Sequence, residues 1–414
     1  MVKTMSKLEQ LIKELCPDGV EWKTLGEASI IYGGLTGKSK VDFEKGDAKY
    51  ISYKNIFSNI EVNFEILENV EISEDEKQHE VKYGDVLFTG SSEIASEAGM
   101  SSSVTRKNYD KVYLNSFSFG LRFNDNIVLT PEFTKYLFRA DFMRKEIAKT
   151  ANGVTRFNIS KVSFKKIQIP IPPLPVQLEI VRILDNFTEL TAELTAELTA
   201  RKKQYEYYRD ELLTFGDDVE WKTLGEVAQI QRGASPRPIT KYITNDLNGV
   251  PWIKIGDTSP GSKYVCETAQ KITWEGAKSS RILNKGDFIL SNSMSFGRPY
   301  ILSITGAIHD GWASISKFSE ILNSDFLYHY LSSNMVKNYW AGKINSSSVS
   351  NLNADIIKAL PIPILSFTEQ EKIVAILDKF DTLVNDISQG LPAEIEMRTK
   401  QHDYYRNKLL SFNK

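Results

Sequence analysis

The sequence predicts an α/β protein: two globular mixed α/β domains, related by an internal pseudo-two-fold duplication and joined by two long helices. Three observations carry that expectation. The string VEWKTLGE stands at 20–27 and again at 219–226. A proline-rich block at 169–187, IPIPPLPVQLEIVRILDNF, has a counterpart at 360–380, LPIPILSFTEQEKIVAILDKF. Each block opens a long run of apolar residues spaced mostly three or four apart, the helical period. A repeat of roughly 200 residues is too long for a solenoid and marks a duplicated frame instead.

In chain order, residues 1–19 hold a short packing helix around LEQLIKELC at 8–16. Residues 20–170 form the first domain. It has β-type runs at 49–56 (KYISYKNI) and 112–123 (VYLNSFSFGLRF), and a helical stretch at 131–147. Pro170, Pro172, Pro173 and Pro175 end it, because proline continues neither a helix nor a central strand. In the helical region 171–218, Ile180, Leu184, Phe187, Leu190, Leu194, Leu198, Tyr205, Tyr208 and Leu212 make one stripe. A helix from Gln177 to Leu213 would run on the order of 55 Å. Inside it, TAELTAELTA (191–200) is built of good helix formers. Each four-residue copy adds roughly 6 Å, so the segment is a ruler whose length changes by whole copies.

The second domain, 219–362, has β-type runs at 249–255 and 300–308 and a helical stretch at 324–340. The helical region 363–414 follows, striped by Ile373, Leu377, Phe380, Leu383, Ile387, Leu391, Ile395, His402, Tyr405 and Leu409, with a break expected where Pro392 follows Gly390. Its end, YYRNKLLSF at 404–412, echoes YYRDELLTF at 207–215. An apolar stripe on a long helix needs a partner, and the duplicated helix is the expected one. Between the shared blocks the two copies diverge, a layout suited to reading two different things at a fixed separation.

Composition excludes several classes. The 414 residues, 41% hydrophobic and 25% charged, are those of a globular chain. With 51 Lys and Arg against 53 Asp and Glu, the net charge of -2 argues against coating nucleic acid by bulk charge, but not against one local basic face. Residues 21–100 carry 8 Lys and Arg against 16 Asp and Glu, residues 101–170 carry 13 against 5, and residues 220–361 carry 15 against 11. Cys16 and Cys266 read as free thiols in a reducing cytosol. The N-terminus shows no secretory leader and no apolar run approaches a membrane span, so the cytoplasm is the expected location. Met1 and Met5 are both plausible starts.

Catalytic chemistry is not legible. His79, His309, His329 and His402 lack metal spacing. YGGLTGKS at 32–39 resembles a phosphate-binding loop, but the first glycine the motif requires falls on Tyr32. A nucleotide-binding enzyme acting through the Gly33–Ser39 loop, and a coiled-coil interaction scaffold, are the alternatives to weigh.

The repeated VEWKTLGE, the block IPIPPL-x-x-Q-x-x-I-V-x-I-L-D at 169–185, the TAEL copies at 191–198 and the YYRDELLTF end resemble the specificity (S) subunit of Type I restriction-modification enzymes, in its TAEL-repeat subgroup. The resemblance spans essentially the whole chain. It implies two target recognition domains, each reading half of a bipartite double-stranded DNA site, with the helices as an antiparallel coiled-coil spacer. It also implies two methyltransferase (M) subunits bound along 177–213 and 370–410, with restriction (R) motor-nuclease subunits joining through the complex. This chain would be a non-catalytic subunit with no cofactor of its own; the assembled complex would use S-adenosylmethionine, ATP and Mg2+ through other subunits. Two domains on one face of DNA sit ~34–36 Å apart, leaving roughly six or seven unread base pairs between short half-sites.

Base edges and phosphates call for Arg, Lys, Asn, Ser or Thr in polar or glycine-adjacent loops. The candidates in the first domain are Ser91, Ser92, Arg106, Lys107, Asn152, Thr155, Arg156 and Asn158. In the second they are Arg232, Arg237, Lys254, Asn292, Arg298, Lys343, Asn345 and Ser346.

Overall fold

The computed structural model describes residues 5–43, 46–73, 75–107, 110–258, 261–291, 297–345, 352–386 and 388–412. Of the residues singled out above, Met1, Asn292, Ser346 and Ile387 lie outside that set. The chain divides into two compact units. Met1–Thr191 and Arg398–Lys414 make the first, and Ala192–Met397 makes the second. Each unit therefore combines one globular part with helical segments from two places in the chain.

The repeated string has the same structural task in both. Glu21–Thr24 pairs antiparallel with Gln168–Ile171, setting Trp22 opposite Pro170. Glu220–Thr223 pairs with Pro361–Ile364, setting Trp221 opposite Pro363. These are two-stranded sheets, so the prolines sit on edge strands, where a missing N–H is tolerated. Thr24 and Thr223 then cap one-turn helices, and Glu27 and Glu226 reach back to the cap backbone N–H at 2.9 and 2.6 Å. VEWKTLGE is thus a strand and capped turn that clasps the two ends of each globular part together.

A second shared device follows. Gln177 and Gln370 are fully buried. Gln177 Nε2 donates to the carbonyls of Val128 and Pro172, and its Oε1 accepts from the Thr130 N–H. Gln370 Nε2 donates to Ile321 and Leu365, and its Oε1 accepts from Asn323. Each amide fastens the start of a spacer helix to the N-cap of a domain helix, Pro131–Leu137 or Ser324–Ser332.

The first unit holds an antiparallel sheet in the order Ser29–Gly33, Ser118–Phe123, Val86–Thr89, Ser101–Ser103. Phe88, Phe119, Phe138 and Phe164 pack edge-on and stacked against it. A second sheet, Glu68–Val70, Ala48–Ile51, Val112–Leu114, is mixed. The strand expected over 49–56 stops at Ile51. Tyr53–Ser58 is helical, because the Asn55 side chain bonds the backbone of Asn63 in both directions and pins the turn. The stretch 131–147 is two helices, Pro131–Leu137 and Asp141–Ala148.

The second unit repeats this plan with its strands gathered into two larger sheets. One five-stranded sheet runs Gln229–Arg232, Trp312–Ser316, Phe288–Ser291, Pro299–Leu302, Tyr264–Val265. The other runs Ile243–Thr244, Lys271–Ile272, Val250–Ile253, Gly306–Ile308, Arg281–Leu283. Helices Ser324–Ser332 and Asn334–Asn345 supply Phe326, Leu327, Leu331 and Trp340 to the core.

Leu174–Leu212 is one continuous helix of 39 residues, roughly 58 Å long. The later region is two helices, Phe367–Asn385 and Leu391–Leu410. Gly390 sits at the break for a steric reason: a Cβ there would lie 2.4 Å from the Thr382 carbonyl. Within the first unit, Phe187 stacks on Tyr405 with ring centres 5.2 Å apart. Within the second, Phe380 stacks on Tyr208 at 5.5 Å. Aromatic residues of the striped faces thus meet in both units, as a paired spacer requires.

Candidate nucleic-acid interface

Six of the eight candidates in the first domain converge on one hairpin. Ala151–Asn152 and Phe157–Ile159 pair antiparallel, and Ser91–Ser92 adds the third strand, with Ser91 opposite Asn158 and Asn158 opposite Asn152. Gly153 makes the turn at φ 141°, where a Cβ would lie 2.0 Å from the Arg156 carbonyl. The tip carries Val154, 91% exposed, and the exposed Thr155. Arg156 Nε donates to Ser91 Oγ at 3.0 Å, and its guanidinium lies 5.9 Å from the centre of the exposed Phe117 ring. Tyr53 donates its hydroxyl to the Ser91 carbonyl at 2.9 Å. Together with Phe57 and Ser92 these groups line a cavity of about 480 Å³, with Glu93 and Glu97 at its wall. Arg106 and Lys107 stand apart: Arg106 faces Glu65 at 3.6 Å and lies over Phe64, and Lys107 lies over Tyr83.

The aromatics Tyr53, Phe57 and Phe117 join this site although none is among the sequence candidates. Their signal was an interleaving of aromatic and hydroxyl residues, as in NSFSF at 115–119. The arrangement offers donors and acceptors on a two-stranded ribbon, a shape the DNA major groove admits.

The second domain does not gather its candidates in one place. Arg232 Nε donates to the Asp310 carbonyl at 3.2 Å, and Arg237 lies 3.8 Å from the Asp310 carboxylate. The Ser235 hydroxyl, donating at 2.8 Å, holds that carboxyl below its ordinary range despite partial burial, helped by the charges of His309 and Arg237. Arg298 lines a separate cavity of about 690 Å³, with Lys202, Arg209, Lys337, Glu206, Asp381 and Trp340. Burial there lowers the Lys337 ammonium, and Arg209 adds repulsion. Lys254 is half-buried and donates to Gln270 Oε1 at 2.9 Å. Lys343 lies over Tyr339, and Asn345 ends the same helix.

The excess of positive charge over 101–170 is only partly a surface property. Arg122 makes hydrogen bonds of 2.7 and 2.6 Å to the fully buried Asp85. Arg139 donates to the carbonyls of Ser101, Ile56, Phe57 and Asn59, and Arg144 to those of Ser96, Ala98 and Gly99. Burial lowers both of these guanidinium groups to about 10. Lys135 bridges Asp185 at 3.0 Å and Glu61 at 3.5 Å. These four cations brace the fold, while Arg156, Lys161, Lys165 and Lys166 remain exposed.

The glycine-rich loop holds no phosphate cradle. Lys38 is paired with Glu76, whose carboxyl is held at about 2 by hydrogen bonds from Lys38, Gln78 and the Ser73 backbone. A short 3-10 turn, Lys40–Phe43, follows where a phosphate site needs a helix N-terminus. Among the described residues no group of His, Cys, Asp and Glu could hold a metal ion, and no helix is long and apolar enough to cross a membrane.

Comparison with known proteins agrees with this architecture. The profile of the Type I restriction modification DNA specificity domain matches twice, over residues 17–201 and 216–397. The chain is 39% identical over 268 residues to the Type I restriction enzyme EcoR124I/EcoR124II specificity subunit of Escherichia coli, an alignment covering 62% of this chain and 65% of that protein. It is 30% identical to the putative type I specificity subunit S.MpnORF201P of Mycoplasma pneumoniae, covering 60% of this chain and 97% of that one. Two solved structures share the fold. One is from work on complex assembly and conformational transition of the type I R-M system, with TM-score 0.65, 18% identity and coverage of 95% of this chain and 98% of that one. The other is the HsdS subunit from Thermoanaerobacter tengcongensis, with TM-score 0.51, 18% identity and coverage of 95% and 97%.

Proposed function

Because the chain belongs to the family of the Type I restriction modification DNA specificity domain, which it matches twice along its length, we propose that it is the sequence-specific DNA-binding specificity subunit of a Type I restriction-modification complex in the cytoplasm. Residues 20–170 read one half of a bipartite target and residues 219–362 the other. The helical regions 171–218 and 363–414 form an antiparallel spacer that sets the unread gap. The chain performs no catalysis; it directs methyltransferase subunits seated along the exposed faces of 177–213 and 370–410, and through them the restriction subunits.

The hairpin 151–159 beside Ser91 supports this reading most directly. It is an exposed, glycine-turned ribbon carrying Asn152, Thr155, Arg156 and Asn158, the groups that hydrogen-bond base edges. In the second domain, Arg232, Arg237, Lys254, Arg298 and Lys343 are the reading candidates whose side chains the structure describes.

The test is a methylome of cells expressing the complete system, with and without Arg156→Ala. The reading expects a relaxed first half and an unchanged second half. A target altered in both halves, or in neither, contradicts the assignment of the hairpin. Gel shifts with random-sequence duplexes, alone and with a methyltransferase subunit, separate a DNA reader from a scaffold that never touches DNA.

A further inference from the structure

The two units bind near-identical helix ends, yet the residues at the contact are exchanged. In the first unit, Tyr136 sits six residues after the N-cap Thr130. It donates its hydroxyl to Asp185 Oδ1 at 2.7 Å, and Lys135 Nζ reaches the same oxygen at 3.0 Å. The incoming segment 398–412 presents His402, two residues before its YYR, edge-on to the Tyr136 ring with centres 5.9 Å apart. The second unit has the reverse. His329 sits six residues after the N-cap Asn323, fully buried, and its Nε2 meets Asp378 Oδ1 at 2.8 Å. Lys263, from a different part of the chain than the counterpart of Lys135, reaches that oxygen at 2.9 Å. The segment ending in 207–215 presents Tyr205, again two residues before YYR, and its hydroxyl lies 3.0 Å from His329 Nδ1. One site is tyrosine on the domain and histidine on the helix; the other is histidine on the domain and tyrosine on the helix.

We propose that this exchange is a recognition key. Each globular part accepts the helix end that carries the complementary ring and rejects the near-identical end belonging to the other part. YYRDELLTF and YYRNKLLSF share most of their apolar surface, so apolar burial alone discriminates poorly between the two dockings. Polar groups discriminate at the second contact, where the Tyr205 hydroxyl meets His329 Nδ1. At the first, Tyr136 and His402 meet ring to ring and His402 Nε2 is buried without a hydrogen bond, so discrimination there falls on the Asp185 site. A tyrosine-bearing end on the first part would bring a second phenol to an aspartate already taken by Tyr136 and Lys135. A histidine-bearing end on the second part would leave His329 Nδ1 without the Tyr205 hydroxyl. A buried polar group without its partner costs more than the bond it replaces, and that difference sets the specificity. The occupant of each surface is a named segment of this chain, 398–412 for the first and 201–215 for the second. The inference rests on side-chain geometry within each unit and stands or falls independently of DNA binding.

The experiment is a double-mutant cycle in the full chain: Tyr136→His, His402→Tyr and the pair together, followed by thermal unfolding. Each single change is expected to lower the melting temperature of the first unit by about 2–8 °C. The double change recreates the arrangement of the second unit and is expected to regain most of that loss. The mirror cycle, Tyr205→His with His329→Tyr, should behave alike in the second unit. If a single variant fails to fold, a double variant recovered folded is itself the rescue. A double change whose loss equals the sum of the two single losses, or single changes without loss, overturns the key.

Discussion

The two units share a frame and differ in what they hang on it, and the difference sorts residues by task. Gln177 and Gln370 make the same three bonds at the same places. The clasps at Glu21–Thr24 and Glu220–Thr223 pair in the same register. Cation placement differs instead. The first unit directs Arg139 and Arg144 into backbone carbonyls, whereas the second leaves Arg298 and Lys337 lining an open cavity. The frame is therefore a repeated mechanical solution, and the cations belong to each globular part separately.

The strongest way to break the comparison is at the shared glutamines. Gln177→Ala strands two carbonyls and an N–H in a buried site, and about 3 kcal/mol of stability should be lost. Gln370→Ala should cost the same within error in denaturant titrations. A large inequality would mean the two clasps are not equivalent. Next in size is Arg156→Ala. Affinity for the first half-site should fall by about 1–3 kcal/mol in DNA titrations at fixed salt, with discrimination at one base position relaxed.

Acid should separate the two units further. His402 is pushed below its ordinary value of 6.5, by burial first and by Arg406 second, with Asp403 opposing and the Tyr136 and Phe187 rings packed on it. Its unfolded form takes up protons more readily, so its contribution is complete above about 6.5 and falls as pH drops below that. Asp378 is raised by burial, but the His329 and Lys263 hydrogen bonds and the lysine charge outweigh this and hold it at about 2. Its contribution is lost only as pH falls from 3.8 toward about 2. Hydrogen exchange across a pH series should therefore show the first unit loosening before the second, and His402→Tyr should remove the earlier step. The smallest effect is expected at Arg106, whose pair with Glu65 is exposed on both sides. Arg106→Ala should change stability by less than about 0.5 kcal/mol.

Much of the frame was legible in the sequence because its residues recur. The duplicated frame, the long helix and the break before Pro392 follow from identity, period and glycine–proline chemistry, whereas the antiparallel clasps formed by the repeated strings did not show in the sequence. The helix at Tyr53–Ser58 was not, since the alternating run before it continues smoothly and only the Asn55–Asn63 bonds reveal the turn. For the candidate interface, loop-like polarity around Ser91 and 152–158 was visible, while the aromatics behind it were not. Charge counts could not tell that Arg139 and Arg144 face converging carbonyls, because those carbonyls come from residues about 40 to 80 positions away. The tyrosine–histidine exchange was hidden because the repeat offset changes between the domain helices and the helix ends.

In the proposed function, the helix Leu174–Leu212 sets the distance between two DNA-reading heads. Deleting one TAEL copy, residues 195–198, and sequencing the methylome of cells carrying the complete system tests it most directly. Methylation is expected at a target with both half-sites unchanged and a shorter unread gap. Methylation at the parental gap would contradict it.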